Sequence, residues 1–261
     1  MTERTTNLPP LGVGALISDT FSVFFSRIPV FLVLSLLSAI ISVGGQALTL
    51  GFSSVGSFTS GSGSETALFG SGFGYFLVSI LSGALFLVST AAISYAAYDS
   101  RTSRRGSVGT FLAAALTKVV PLCLCAIVSG IMISLGLALF LLPGLWVFAV
   151  YSVVSVAIVA ERGGFYLEGL GRSIELTKGY RWPIAGGAIL AFVVMGLFVG
   201  LLFFVLTPLT SAVSVALTAL VSTVIWAFSF SVLYIWIGVL YARLRAIKDG
   251  SPTENLDEVF G

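Results

Sequence analysis

The stretch "PIAGGAILAFVVMGLFVGLLFFVL", residues 183–206, runs for 24 residues without a charged side chain. About 20 residues of helix are enough to cross the roughly 30 Å hydrocarbon layer of a bilayer, so this stretch is predicted to be a transmembrane helix. The whole chain of 261 residues has the same character, since it is 57% hydrophobic and 9% charged, with a mean hydropathy of +1.08. Soluble proteins carry about a quarter of their residues as charged side chains. The composition therefore indicates an integral membrane protein.

Five further apolar runs extend this prediction to an all-α membrane protein, a single polytopic domain over 1–261. The six predicted spans lie at about 30–50, 75–98, 119–140, 145–160, 183–206 and 220–241. They pair into three hairpins. The two spans of each hairpin are joined on the outer side, by residues 51–74 in the first, by a Leu-Pro-Gly break at 142–144 in the second and by a Thr-Pro break at 207–208 in the third. Residues 208–241 would form a helix of about 51 Å, so an interfacial or re-entrant piece is expected before the last span. The segment 51–74, with seven glycines and seven serines, predicts a flexible outer loop.

Basic residues predict the orientation of the spans. The chain has 13 Lys and Arg, and every one falls on the same side of the predicted membrane. They are Arg4 and Arg27, then Arg101, Arg104, Arg105 and Lys118, then Arg162, Arg172, Lys178 and Arg181, and finally Arg243, Arg245 and Lys248. Lys and Arg near span ends are held on the cytoplasmic side. Both termini are therefore predicted to be cytoplasmic.

A repeated unit precedes the odd-numbered spans. Each begins at a basic residue followed shortly by proline, in Arg27-Ile28-Pro29, Lys118-Val119-Val120-Pro121 and Arg181-Trp182-Pro183. Proline is well tolerated in the first turn of a helix. Upstream of each corner, the patterning of 11–26, 107–118 and 166–178 predicts an amphipathic helix lying on the cytoplasmic membrane surface.

The charged stretch "ERGGFYLEGLGRSIELTKGYRWP", 161–183, holds seven of the chain's charges within 23 residues. On a helix, Leu170 and Ile174 share one face, whereas Glu168, Arg172 and Glu175 lie opposite, spaced for ion pairs. Two interpretations stand side by side. The charges either fix topology only, or Arg172, Lys178, Arg181 and Trp182, with Leu170 and Ile174 in lipid, contact anionic headgroups or an acidic partner.

The sequence offers no set of residues for catalysis, a cofactor or a metal. It has no histidine, and no ionisable residue lies in the middle of a predicted span. Ion-coupled transporters usually need such residues, and hydrolytic metal sites need clustered carboxylates or histidines. The net charge of +2 gives no reason to expect nucleic acid. The motif "GLFVG" at 196–200 is expected to serve helix packing within one protomer rather than dimerisation.

Residues 142–182 resemble the core signature of the YciC-like group of bacterial membrane proteins, related to the membrane domain of some glycerophosphoryl diester phosphodiesterases. The matching elements are Leu142-Pro143-Gly144, Glu161, Gly164, Leu170, Arg172-Ser173, Leu176-Thr177-Lys178-Gly179 and Trp182. The ending "LYARLRAIKDG", 240–250, resembles the group's exit from its last span. Ala157 and Ala242 stand where the group commonly has proline and aspartate. The resemblance implies six spans. It implies no particular activity, because the group is largely uncharacterised, and the phosphodiesterase activity is not carried over because that domain is absent from these 261 residues.

These observations favour a non-catalytic inner-membrane protein that organises lipid or a membrane protein complex. Its expected partners are membrane lipids or another membrane protein, and the sequence does not specify its oligomeric state. The alternative is a carrier or channel for a lipid or small apolar solute, with Ser, Thr and Gln46 as its polar lining.

Overall fold

The chain is all-α in a computed structural model that describes residues 11–50, 73–102, 106–161 and 168–249. Within these ranges it is 91% helix with no strand. The helices are α1 (Val13–Ser26), α2 (Ile28–Leu50), α3 (Phe73–Arg101), α4 (Val108–Leu116), α5 (Val119–Leu139), α6 (Leu141–Tyr151), α7 (Val154–Ala160), α8 (Glu168–Thr177), α9 (Arg181–Ser211) and α10 (Val215–Asp249). The predicted outer loop lies outside the described residues from 51 to 72.

Five helical segments are long and apolar enough to cross a membrane. They are Phe76–Arg101, Val119–Leu139, Leu141–Ala160, Arg181–Ser211 and Leu220–Asp249. A sixth would be α1 together with α2, which are bent by 92° where they meet at Arg27. The prediction of a helical membrane protein with several spans is therefore confirmed.

The three predicted corners coincide with helix starts. Pro29, Pro121 and Pro183 each lie in the first turn of a long helix, namely α2, α5 and α9. Each long helix follows a short one, α1, α4 or α8, as the repeated unit predicts. In the first unit the 92° bend sets the short helix across the long one.

Two predicted breaks are wrong in position. The turn between α5 and α6 is at Phe140, whose backbone is extended, and the Pro143-Gly144 pair already lies inside α6. Proline fits there because an N–H in the first turn has no helical partner. Pro208 lies inside α9, and the chain turns only after Ser211, at residues 212–214. Membrane helices tolerate such a proline because neighbouring groups and local adjustment compensate for the lost hydrogen bond.

Small residues bring α3 and α10 close together at the centre of the core. Ala91, Ala92, Ala96 and Ala97 of α3 are all buried. A Cβ placed on Gly238 of α10 would lie 2.2 Å from the Ser94 carbonyl oxygen, closer than real Cβ atoms approach other atoms. α10 also packs against α1, α2 and α9, so the α3–α10 contact organises the bundle.

The helix α9 behaves differently. Its first turns are buried at Ile184, Ala185, Gly187 and Ala188, but no residue of its most apolar 18-residue window is buried. A Cβ on Gly196 or Gly200 would meet nothing within 4 Å. The two glycines of the "GLFVG" motif therefore contact no other described helix, contrary to the prediction that they let helices pack closely within the protomer. Phe198 between them does contact Phe228 of α10, with ring centroids 6.2 Å apart.

Candidate functional site

Charged side chains from distant parts of the chain meet at one end of the bundle. Asp19 of α1 accepts hydrogen bonds from Arg101 at the end of α3 and from Arg243 of α10. The Arg243 Nε–Asp19 Oδ2 distance is 3.0 Å, and Arg243 also donates to the Leu11 carbonyl oxygen at 3.0 Å. α1 is thus fastened across the ends of two long helices.

A second contact joins the corner before α2 to the end of α3. The Asp99 carboxylate is buried, and the Arg27 guanidinium approaches it at 3.8 Å. The Gly106 N–H donates to Asp99 Oδ2 at 3.2 Å. A buried carboxylate needs an opposite charge and hydrogen-bond donors to offset its lost hydration, and these neighbours supply both.

The third and largest network centres on Arg172 of α8. Its Nε donates to Glu161 Oε1 at 2.7 Å, and its Nη2 donates to Asp249, the last residue of α10. Glu175 lies 3.8 Å away, in the i,i+3 pair expected from the sequence. The same Glu161 oxygen accepts a hydrogen bond from the Tyr241 hydroxyl group at 3.0 Å. Arg172 therefore ties α8 to the ends of α7 and α10.

The charge of Arg172 is stabilised by these neighbours. Burial by itself lowers the pKa of the Arg172 guanidinium, but the hydrogen bond and charge of Glu161, with the charge of Asp249, outweigh burial and raise the pKa above its usual value. The neighbouring Arg245 donates to the Tyr98 hydroxyl and lies 3.5 Å from Asp249. Arg172 is therefore engaged within the protein instead of forming part of an open positive edge.

The orientation of α8 differs from the expectation. The Ser173 hydroxyl donates to the Val150 carbonyl oxygen at 2.6 Å. Val150 lies in the last turn of α6, where carbonyl groups lack a partner within the helix. This bond turns Ser173 inward, and Leu170, 8% exposed, packs in the protein core beside it. The prediction that Leu170 contacts lipid is wrong, because α8 packs on α6 and α7; Ile174 remains 38% exposed. The first two residues of the helix predicted over 166–178 lie outside the described residues.

The remaining site residues lie where α8 gives way to α9. Lys178 is exposed, and Gly179 has a φ of +92°, a conformation that favours glycine. The Arg181 guanidinium carbon lies 4.5 Å from the centre of the Trp146 ring of α6. Trp182 is 63% exposed. Of the six predicted contact residues, Lys178, Trp182 and Ile174 therefore present an outer surface, and Arg181 is partly covered.

Two carboxylates of this end, Asp99 and Asp249, have no predicted role in the sequence, and neither does Tyr98. Glu161 and Tyr241 belong to stretches that carry the resemblance, without a predicted contact between them. A usable signal was present for Asp249, because it follows Arg245 by four residues on one helix. The Arg243–Asp19 pair joins residues 224 positions apart, which no local pattern indicates.

The arginines and carboxylates of the three networks hold each other across helices. Over the described ranges, no three His, Cys, Asp or Glu side chains are grouped so that they could hold a metal ion. Comparison with protein-family models, with curated proteins and with solved structures finds no match for this chain.

Proposed function

We propose that this protein is a non-catalytic bacterial inner-membrane protein that organises lipid or a membrane protein complex. The main support is the apolar surface of α9, which extends over its long outer part without burial, together with the exposed side chains of α5 such as Ile127, Ile131 and Leu135. A surface of this size on two helices must be covered by lipid or by another membrane protein.

The proposal includes six spans in three hairpins, with both termini in the cytoplasm. The end of the bundle that carries the three networks around Asp19, Asp99 and Arg172, called the ion-paired end here, would then face the cytoplasm, where a surplus of Lys and Arg is expected. It also includes membership of the YciC-like group. In its favour, several residues of the resemblance make specific contacts here, notably Glu161 with Arg172, and Ser173 with Val150.

A carrier or channel has less support. Its lining would consist of Ser, Thr and Gln46, and the described hydroxyls of the inner helices donate to carbonyl oxygens of their own helix. Ser35 donates to Phe31, Ser94 to Thr90 and Ser231 to Ala227, at 2.7, 3.1 and 2.8 Å. Such hydroxyls help helices to pack closely and leave few groups to line a path for a lipid or small apolar solute.

Copurification tests the proposal. The protein would be extracted from bacterial membranes in a mild detergent, and its lipid and protein content would be measured by mass spectrometry against the bulk membrane. We expect an enriched lipid class or a stoichiometric membrane protein. A lipid composition equal to that of the bulk membrane, with no protein partner, would contradict the proposal. Solute flux in proteoliposomes would favour the carrier.

A further inference from the structure

We propose that Lys178, Arg181 and Trp182 bind the headgroup of one anionic phospholipid, whose acyl chains lie along the outer face of α9. This inference rests on the proposed function and assigns it a site and a ligand class.

The Arg181 guanidinium is only partly satisfied by the described residues. It stacks over Trp146 at 4.5 Å, and stacking uses the face of the guanidinium, so its in-plane N–H groups still need acceptors. Its Nε is buried and has no hydrogen-bond partner among the described residues. A buried donor without an acceptor is unfavourable, so an acceptor from outside the described chain fits this position.

Comparison with the other described arginines indicates that this acceptor is negatively charged. Five described arginines form ion pairs with carboxylates, namely Arg27, Arg101, Arg172, Arg243 and Arg245. Within the described ranges Arg181 and Lys178 form none, and Glu175 of α8 and Asp249 of α10 are paired with Arg172. Two cations three residues apart, one of them a guanidinium without a carboxylate partner among the described residues, are complementary to a phosphate group.

The surroundings identify a lipid as the source of the phosphate. Trp182, next to Arg181, is largely exposed at the first turn of α9, and tryptophan favours the headgroup region of a bilayer. About two to three helical turns beyond Trp182, the side chains of Ile189, Leu190, Phe192 and Val193 are exposed. A free phosphate would use the cations alone, whereas a phospholipid also covers the apolar face of α9.

Lipid titration tests the site. The full chain, stripped of lipid in detergent, would be titrated with dioleoyl phosphatidylglycerol or dioleoyl phosphatidylethanolamine, and bound lipid would be counted by native mass spectrometry. The variant is Lys178→Gln with Arg181→Gln. The matched control is Lys118→Gln with Lys248→Gln, which removes the same charge from two other lysines without an ion pair among the described residues.

We expect the wild type to prefer phosphatidylglycerol and the Lys178/Arg181 variant to bind it about 30-fold more weakly, from two basic groups near an anionic surface. The control variant should lose much less affinity for phosphatidylglycerol. Arg181→Lys keeps the charge without the planar stacking, so an intermediate loss is expected. Near-wild-type circular dichroism would verify folding of each variant.

Equal losses in the variant and the control would overturn the site while leaving the organising function intact. If the wild-type protein retains neither lipid nor a partner in the copurification experiment, the proposed function itself is contradicted. The acidic segment 254–258 is the competing occupant of the site. If phosphatidylglycerol binds at Lys178 and Arg181 only after residues 251–261 are removed, the tail is the ligand and the lipid proposal is wrong.

Discussion

Replacement of Gly238 by alanine probes the contact that holds α3 and α10 together. The new Cβ would lie 2.2 Å from the Ser94 carbonyl oxygen and 2.7 Å from the Ala97 Cβ. The first of these atoms belongs to the backbone of α3, so a side-chain rotation cannot relieve the clash. The two helices would have to separate by about 1 Å, and overpacking of this kind costs about 1–3 kcal/mol.

The matched control is Gly200→Ala on α9, where an added Cβ meets nothing within 4 Å. Both substitutions gain about 1 kcal/mol of helix propensity. The difference between them therefore isolates the clash. We expect Gly238→Ala to shift the unfolding equilibrium about 5- to 150-fold further toward the unfolded state than Gly200→Ala.

Unfolding by sodium dodecyl sulfate in mixed micelles measures this difference. Tryptophan fluorescence is a suitable signal, because Trp236 is buried on the same helix as Gly238. Equal free energies of unfolding for the two variants would refute the close approach of α3 and α10.

Two further predictions concern the ion-paired end and the turn between α5 and α6. Glu161→Gln should lower the free energy of unfolding by about 1–3 kcal/mol, because it weakens charged hydrogen bonds to Arg172. Glu175→Gln, 74% exposed, should cost well under about 1 kcal/mol in the same denaturation assay, and equal costs would argue against the network. Gly144→Val should reduce the yield of folded protein in size-exclusion chromatography, because its Cβ would lie within 2.8 Å of the α5 backbone. Gly130→Val, on an open face of α5, is the control, and a similar loss there would refute the explanation.

The long helices could be predicted from sequence because their apolar runs are uninterrupted and the basic-proline corners coincide with their starts. The two wrong breaks share a cause. The sequence prediction places helix ends at proline and glycine, where they often lie in soluble proteins, yet Pro143 and Pro208 lie inside helices of apolar sequence. Charge and hydropathy alone do not distinguish a proline within a membrane helix from one in a turn.

The buried face of α8 could not be predicted because a helical wheel considers only the polarity of each side chain. Ser173 is polar, yet it lies inward since its hydroxyl binds the Val150 carbonyl. Leu170, three residues earlier on the same helix, also packs in the core. Likewise, the sequence identified Arg172 as a candidate but gave no indication that Asp249, at the far end of the chain, would bind it.

The most direct test of the account is the location of its ion-paired end at the cytoplasmic face of the membrane. Single cysteines would be placed at Thr102, which is exposed at that end, and at Ser57 of the predicted outer loop, after replacement of Cys123 and Cys125. With a membrane-impermeant thiol reagent, we expect Ser57→Cys to react in intact cells and Thr102→Cys to react only after permeabilisation. Labelling of position 102 in intact cells would contradict the account.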